Sequence, residues 1–327
     1  MRQSGRAFQT SKANEHVVNQ IDVNKVSDVA GAEILNVNLS KPFSKFALEK
    51  IMKAFTQHHV LIFRQQNLSK IEQESFTQNF GEIEGHVGRL PNGKRLPNVH
   101  TVTNIDNLTG KPTAVPHTDG NYYWHTDKSY HAVPSLMTLL HAVDIPPEGG
   151  DTLFCNMHMA YDALPPEEQK KIANLRAVHS WEASRKNTGN IPATEKQKRE
   201  RPPVSHPIVR THPETGQKSL YIGMHTSHIE GIPEIEGKNL LDELLETATT
   251  SKNIYRHKWQ SGDLVLWDNR CLLHRGDKNF EMDKHRRILH RTVVKGTTPF
   301  NRILQLLYAD VITCTFLSAN RSLFFSA

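Results

Sequence analysis

The sequence predicts a mainly β protein with added helices, a jelly-roll-type barrel whose helices pack outside it. Three observations carry this reading. From about Ser135 onward, short apolar runs recur (SLMTLLHAV, DTLFCNM, SLYIGM, DLVLWDN, RILHRTVV), separated by Gly, Pro and Asp. Helix-period stretches interrupt them at Pro165 to Leu175 and at Leu240 to Thr247. Reactive polar residues sit beside those runs, as expected where short strands close around a few polar side chains.

Taken in order, the first 20 residues are polar and read as a flexible terminus. The opening MRQSGRAFQTSKANEH is basic and Ser-containing like an organelle presequence, but Glu15 and the lack of an apolar stripe argue against one. The expected compartment is cytoplasmic, with a mitochondrial location as the alternative. Phe46 to Val60 carries helical apolar spacing, and Val60-Leu-Ile-Phe63 reads as a short buried strand. Ser69-Lys-Ile-Glu72 is a capping box opening a helix that stops at Gly81. The basic run Arg185 to Arg201 also holds Glu195, Glu200, Gly189 and Pro192, and reads as a solvated loop. One domain is expected over 21–299, followed by an atypical apolar and Ser-rich tail, 300–327.

Composition narrows the function classes. With 40 Lys and Arg against 34 Asp and Glu in 327 residues, the formal charge is +6, yet the basic residues form no long block. Aromatics are 7% and no nucleic-acid signature appears, so nucleic acid is not an expected partner. Three cysteines (Cys155, Cys271, Cys314) make no disulfide scaffold and fit a reducing compartment. The longest apolar-leaning run, Ile303 to Leu317, contains Asp310 and is too short to span a bilayer, so no membrane association is expected. Nineteen histidines point toward metal or acid–base chemistry.

Asn121-Tyr-Tyr-Trp-His-Thr-Asp127 contains His-x-Asp, and a second His, His274, ends an apolar strand far downstream. Two histidines and a carboxylate on one face of an octahedral metal leave three positions open, the arrangement of non-haem Fe(II) oxygenases. The pair alone is a weak signal: His117-Thr-Asp119 repeats it, and both copies read equally well as loop turns. Its company strengthens the second copy. Gly149-Gly-Asp-Thr152 is a glycine turn leading into a strand whose Thr can donate to an anion. In Arg287-Ile-Leu-His-Arg291, two arginines four apart share one face of a strand. Either alone reads as a surface ion pair, but two inside a barrel call for anions.

These motifs resemble the taurine/2,4-dichlorophenoxyacetate dioxygenase (TauD/TfdA) family. The likeness runs from about residue 22 to 298 and leans toward the dichlorophenoxyacetate branch. It rests on Trp124-His-Thr-Asp127, Gly149 to Thr152, Trp267 to Gly276 and Arg287-x-x-x-Arg291. Supporting stretches are Tyr161 to Pro165, Val209 to His212, Ile222 to Gly231, Tyr255 to Trp259 and Gly262 to Val265. The resemblance implies a double-stranded β-helix and an Fe(II)- and 2-oxoglutarate-dependent dioxygenase that consumes O2 and gives succinate and CO2. It implies His125, Asp127 and His274 as iron ligands, and the Trp before the pair selects His125 over His117. Thr152 and Arg287 would bind the distal carboxylate of 2-oxoglutarate, and Arg291 the anionic head of the prime substrate. Asn121 falls where the family has a pocket residue. His225 and His228 would line the substrate pocket or pack behind it, and His179 and Arg185 are further contact candidates. His58 and His59 read as structural.

The expected partner is a small organic acid, an aryloxyalkanoate-like carboxylate or similar; a homo-oligomer stays open. The alternatives are a sulfonate (taurine-like) dioxygenase and a catalytically silent barrel that binds an anion or a partner. A His/Asp/His zinc hydrolase would leave Arg287 and Thr152 without a purpose.

Overall fold

A computed structural model describes residues 17–85, 98–115 and 119–301. Its centre is a seven-stranded sheet in the order Asp22–Lys25, Ala32–Leu35, Val60–Phe63, Leu264–Asp268, Ser135–Asp144, Ile288–Lys295 and His100–Thr103. Facing it is a three-stranded sheet of Ile254–His257, Thr152–Asn156 and Leu272–Gly276. Two smaller sheets contribute to the apolar cluster on its outer face: Thr226–Ile229 with Arg176–His179 and Val204–Pro207, and Lys218–Leu220 with Val209–Thr211. The result is the jelly-roll core the apolar runs predict.

Side-chain alternation explains why these strands read as unbroken apolar runs. Leu61, Phe63, Leu139, Leu264 and Leu266 point to one face of the large sheet and pack against Ala47, Ile51, Phe55 and Phe76 of two covering helices. Val60, Ile62, Leu140, Val265 and Trp267 point the other way and meet Phe154 and Leu272 of the facing sheet. Both faces are buried, so polar alternation is lost. Cys155 and Leu273, on the outer face of the small sheet, lie under a third cluster with Met157, Leu241 and Leu244.

The covering helices are Lys45–His58 and Lys70–Gln78. Ser44 caps the first by accepting from the Ala47 N–H, and His59 ends it in the left-handed region at φ 61°. The Ser69/Glu72 capping box forms as the sequence indicates. The second helix ends at Gln78, three residues short of Gly81.

Three further expectations are corrected. The run SLYIGM is a strand only over Lys218–Leu220. Beyond it the chain peels away through Gly223 (φ 141°), and the Met224 N–H donates to the Trp124 carbonyl. A Cβ on Gly223 would stand 3.0 Å from that carbonyl oxygen, so glycine permits the approach. Arg185 to Arg201 is not a loop: helices Trp181–Asn187 and Glu195–Glu200 occupy most of it, capped by Ser180 and by a Thr194/Gln197 box. The helix expected over Leu240 to Thr247 runs over Glu234–Ala248, beginning directly after Pro233. Among the described residues, no helix is long and apolar enough to cross a membrane.

Candidate active site

The two layers deliver opposite halves of one site. Thr152 opens one strand of the small sheet and His274 lies in another, while Arg287 and Arg291 come from the last strand of the large sheet and the residue before it. The loop carrying His125 and Asp127 is tied to the His274 strand by two backbone hydrogen bonds, His125 N–H to His274 O (3.1 Å) and His274 N–H to His125 O (2.8 Å). One ligand atom from each of His125, Asp127 and His274 lies within 4.8 Å of the other two, and all three residues are buried.

Hydrogen bonding fixes what each can donate. His125 Nδ1 lies 2.7 Å from the Tyr123 carbonyl and donates to it, leaving Nε2 with its lone pair. The His274 ring sits 4.2 Å, centroid to centroid, from the His125 ring and 4.6 Å from Trp267. Burial pushes both imidazoles below their usual pKa, so they are neutral near pH 7. Burial opposes ionisation of Asp127, but Arg291, His274, His125 and the Thr138 hydroxyl outweigh it and hold the carboxyl below the usual range. Two neutral imidazoles and one carboxylate are a donor set suited to a divalent first-row metal with open positions.

Behind the carboxylate lies support that the sequence reading missed. Thr138 Oγ donates to Asp127 Oδ2 and accepts from Asn269 Nδ2, while Asn269 Oδ1 accepts from the Asp127 N–H. Thr138 is the polar residue within the apolar run Leu136 to Leu140, a signal available in the sequence. Thr138→Val keeps the shape and removes the donor. It should weaken divalent-metal affinity by about 10- to 100-fold, the usual effect of losing a group that orients a ligand. Titration with Mn(II) checks this; unchanged affinity would mean that Asp127 is held without Thr138.

Two connected chambers meet at the triad. The outer one, about 270 Å³, is walled by Asp127, Tyr130, Trp181, Arg185, Met224 and His225 among others. The inner one, about 40 Å³, reaches Thr152, Trp267, His274 and Arg287. Asn121, His125 and Arg291 border both. Thr152 Oγ accepts from Trp259 Nε1 at 3.0 Å, so its own proton is free to donate elsewhere. Arg287 Nε donates to the Gly150 carbonyl, and among the described residues no carboxylate pairs with it. Burial works against its cation, offset only in part by Tyr122 and Asp151. Arg291 Nη1 is 3.4 Å from Asp127 Oδ1, and its Nε is buried without a partner. A register shift falls between Ile288 and Leu289, yet both arginines border the inner chamber.

The remaining candidates divide. His225 is buried against the outer chamber, with Nδ1 3.1 Å from Ser129 Oγ, and burial pushes its pKa down to about 3. His228 is corrected: it is exposed, because a bulge between Thr226 and His228 turns it to solvent. Arg185 does border the outer chamber, stacked 4.9 Å from the Trp181 ring, with Arg201 at 4.7 Å. His179 is buried against Tyr221, outside either chamber. His117 lies outside the described residues, as do residues 1–16 and the tail from 302 onward.

The family model described as taurine catabolism dioxygenase TauD, TfdA family matches residues 22–293. The chain is 38% identical over 279 residues to the alpha-ketoglutarate-dependent 2,4-dichlorophenoxyacetate dioxygenase of Cupriavidus pinatubonensis, covering 83% of this chain and 96% of that protein. It is 30% identical over 278 residues to the (S)-phenoxypropionate/alpha-ketoglutarate-dioxygenase of Sphingobium herbicidovorans, covering 83% and 94%. The crystal structure of AAD-2 in complex with Mn(II) and N-oxalylglycine superposes with a TM-score of 0.74 at 32% identity, covering 86% of this chain and all but 1% of that one (99%).

Proposed function

The chain belongs to the TauD/TfdA dioxygenase family, and from that premise we propose that it is an Fe(II)- and 2-oxoglutarate-dependent dioxygenase acting on a small organic acid of the aryloxyalkanoate type. The observation that carries the site assignment is the pair of chambers meeting at His125, Asp127 and His274, with Arg287 in the inner chamber and Arg291 at the border of both.

His125, Asp127 and His274 would hold the iron, which would supply the O2 activation that, with 2-oxoglutarate as co-substrate, yields succinate and CO2. The chain's own residues do the placing. Arg287 and Thr152 hold the distal carboxylate of 2-oxoglutarate in the inner chamber, giving the Arg287 charge the anion it lacks. Arg291 holds the acid group of the prime substrate in the outer chamber, with Asn121 at the junction of the two. Trp181, Tyr130 and Met224 wall off water and aim the substrate C–H bond toward the triad. Arg291 does most to keep Asp127 ionised, and Thr138 orients it.

Formal charge agrees with this division. A ferrous dication, the Asp127 carboxylate, Arg287 and Arg291 leave three net positive charges, and Arg185 adds a fourth at the outer chamber, an excess that favours anionic ligands in both. A screen for succinate release over carboxylates and sulfonates, run aerobically with Fe(II), tests the reading. Aryloxyalkanoates should stimulate turnover. Arg291→Gln should raise the KM for the acid by about 30-fold or more, the low end for removing one partner of a buried charge pair. The 2-oxoglutarate-dependent visible band should survive in that variant and be lost in Arg287→Gln. Stimulation by sulfonates alone would replace the substrate class, and loss of the band in Arg291→Gln would reject the split of roles.

A further inference from the structure

Away from the linings of both chambers, the fold gathers another set of donors. His59 ends the helix Lys45–His58, His158 lies in the helix Met157–Asp162, and Cys271 lies between the strands Leu264–Asp268 and Leu272–Gly276. One nitrogen from each ring and the Cys271 sulfur lie within 4.8 Å of one another, and all three residues are buried. The two rings are 5.3 Å apart, centroid to centroid.

Hydrogen bonding leaves these groups unsatisfied. His158 Nδ1 lies 2.7 Å from the Lys218 carbonyl and donates to it, so Nε2 carries a lone pair, buried and without a partner. His59 Nδ1 is likewise buried and unpartnered, in a residue only 7% exposed. Burial pushes His59 down to about 4 and lowers His158, so neither ring gains a proton to share near pH 7. Two hydrogens remain to the cluster, the His59 ring proton and the weakly donating Cys271 thiol, and among the described residues no hydrogen bond joins the three side chains. Each unsatisfied buried group costs about 1–3 kcal/mol. The nearby charges are committed elsewhere: Asp268 accepts from Arg270 and His212, and Arg270 also pairs with Glu214.

We propose that His59, His158 and Cys271 form a second, structural metal site, for zinc(II), distinct from the His125/Asp127/His274 triad. Two imidazole nitrogens and a thiolate sulfur are a borderline-soft donor set of the kind that zinc(II) accepts. Asp268 lies within 4.8 Å of the Cys271 sulfur, but Arg270 and His212 occupy its oxygens, so the three side chains make up the ligand set by themselves. On binding, the Cys271 thiol proton leaves to solvent and the two orphaned lone pairs gain a partner. The metal would pin the end of a covering helix, the start of another and the segment Asn269 to Cys271, whose first residue bonds to Asp127.

The test uses the full chain, stripped with a chelator and titrated with Co(II). Wild type should bind two equivalents, one of them giving the near-ultraviolet thiolate-to-cobalt charge-transfer band. Asp127→Ala should keep that band, whereas Cys271→Ser should lose it together with one equivalent of bound metal. Cys155→Ser should retain it. Should Cys271→Ser fail to fold, His158→Gln must lose the same equivalent. Absence of a thiolate band in wild type at two equivalents overturns the proposal, as does a band that persists in Cys271→Ser. Because the readout is a sulfur band, it can fail while the iron assignment stands, and the reverse.

Discussion

Asp127→Ala should lower 2-oxoglutarate turnover by more than about 10²-fold. Losing a residue that merely orients a ligand costs about 10- to 100-fold, and a ligand within a set that acts as a unit costs more. The variant also strips Arg291 of the carboxylate 3.4 Å away. Breaking a fully buried pair costs about 3–5 kcal/mol, and less is expected here because the Arg291 side chain keeps 24% of its exposure. Asp127→Asn separates the two effects, since it keeps the shape and removes the charge. Under anaerobic conditions wild type with Fe(II) and 2-oxoglutarate should show a weak visible charge-transfer band that both variants lack. A band of wild-type intensity in Asp127→Ala would remove Asp127 from the ligand set.

The second large effect is acid lability of the metal-free protein. Burial holds His59 and His206 down to about 4 and His225 to about 3. Above the unfolded value of 6.5 these rings are neutral in both states, and their contribution is fully present. As the pH falls below 6.5, the unfolded chain takes up protons that the folded chain refuses, so stability drops until the folded rings titrate near 4 and 3. At pH 5 each ring accounts for about 2 kcal/mol, roughly 6 kcal/mol for the three. That is a large share of a typical total of about 5–15 kcal/mol. Urea midpoints at pH 7.5 and pH 5 measure it. His225→Gln should flatten the pH dependence by about a third, and equal midpoints at the two pH values would show that the buried rings titrate normally.

Legibility differed between fold and site for physical reasons. The runs at Ser135, Thr152, Leu264 and Ile288 announce strands because helices bury one face of the large sheet and the small sheet buries the other. Tyr221 to Met224 has the same texture, but Gly223 diverts it to the Trp124 carbonyl, a contact no local pattern encodes. Charges at Arg185 to Arg201 obscured two capped helices whose Ser180 and Thr194 signals were present. In the site, residue types raised His125, Asp127, His274, Thr152 and Arg287 as candidates, but their roles and the preference for His125 over His117 came from the family resemblance. His228 failed because a bulge reverses strand parity. The Arg291 contact with Asp127 and the Trp181 wall needed three dimensions.

The paired backbone bonds between His125 and His274 have one more consequence. Their ladder contact is made by peptide groups, so these two side chains are brought together by folding itself, whether or not an ion is present. The entropy of assembling them is spent in advance, and ion exchange at this centre becomes a local event. Metals of similar radius should therefore substitute for one another without refolding, and the empty scaffold should remain a ready acceptor.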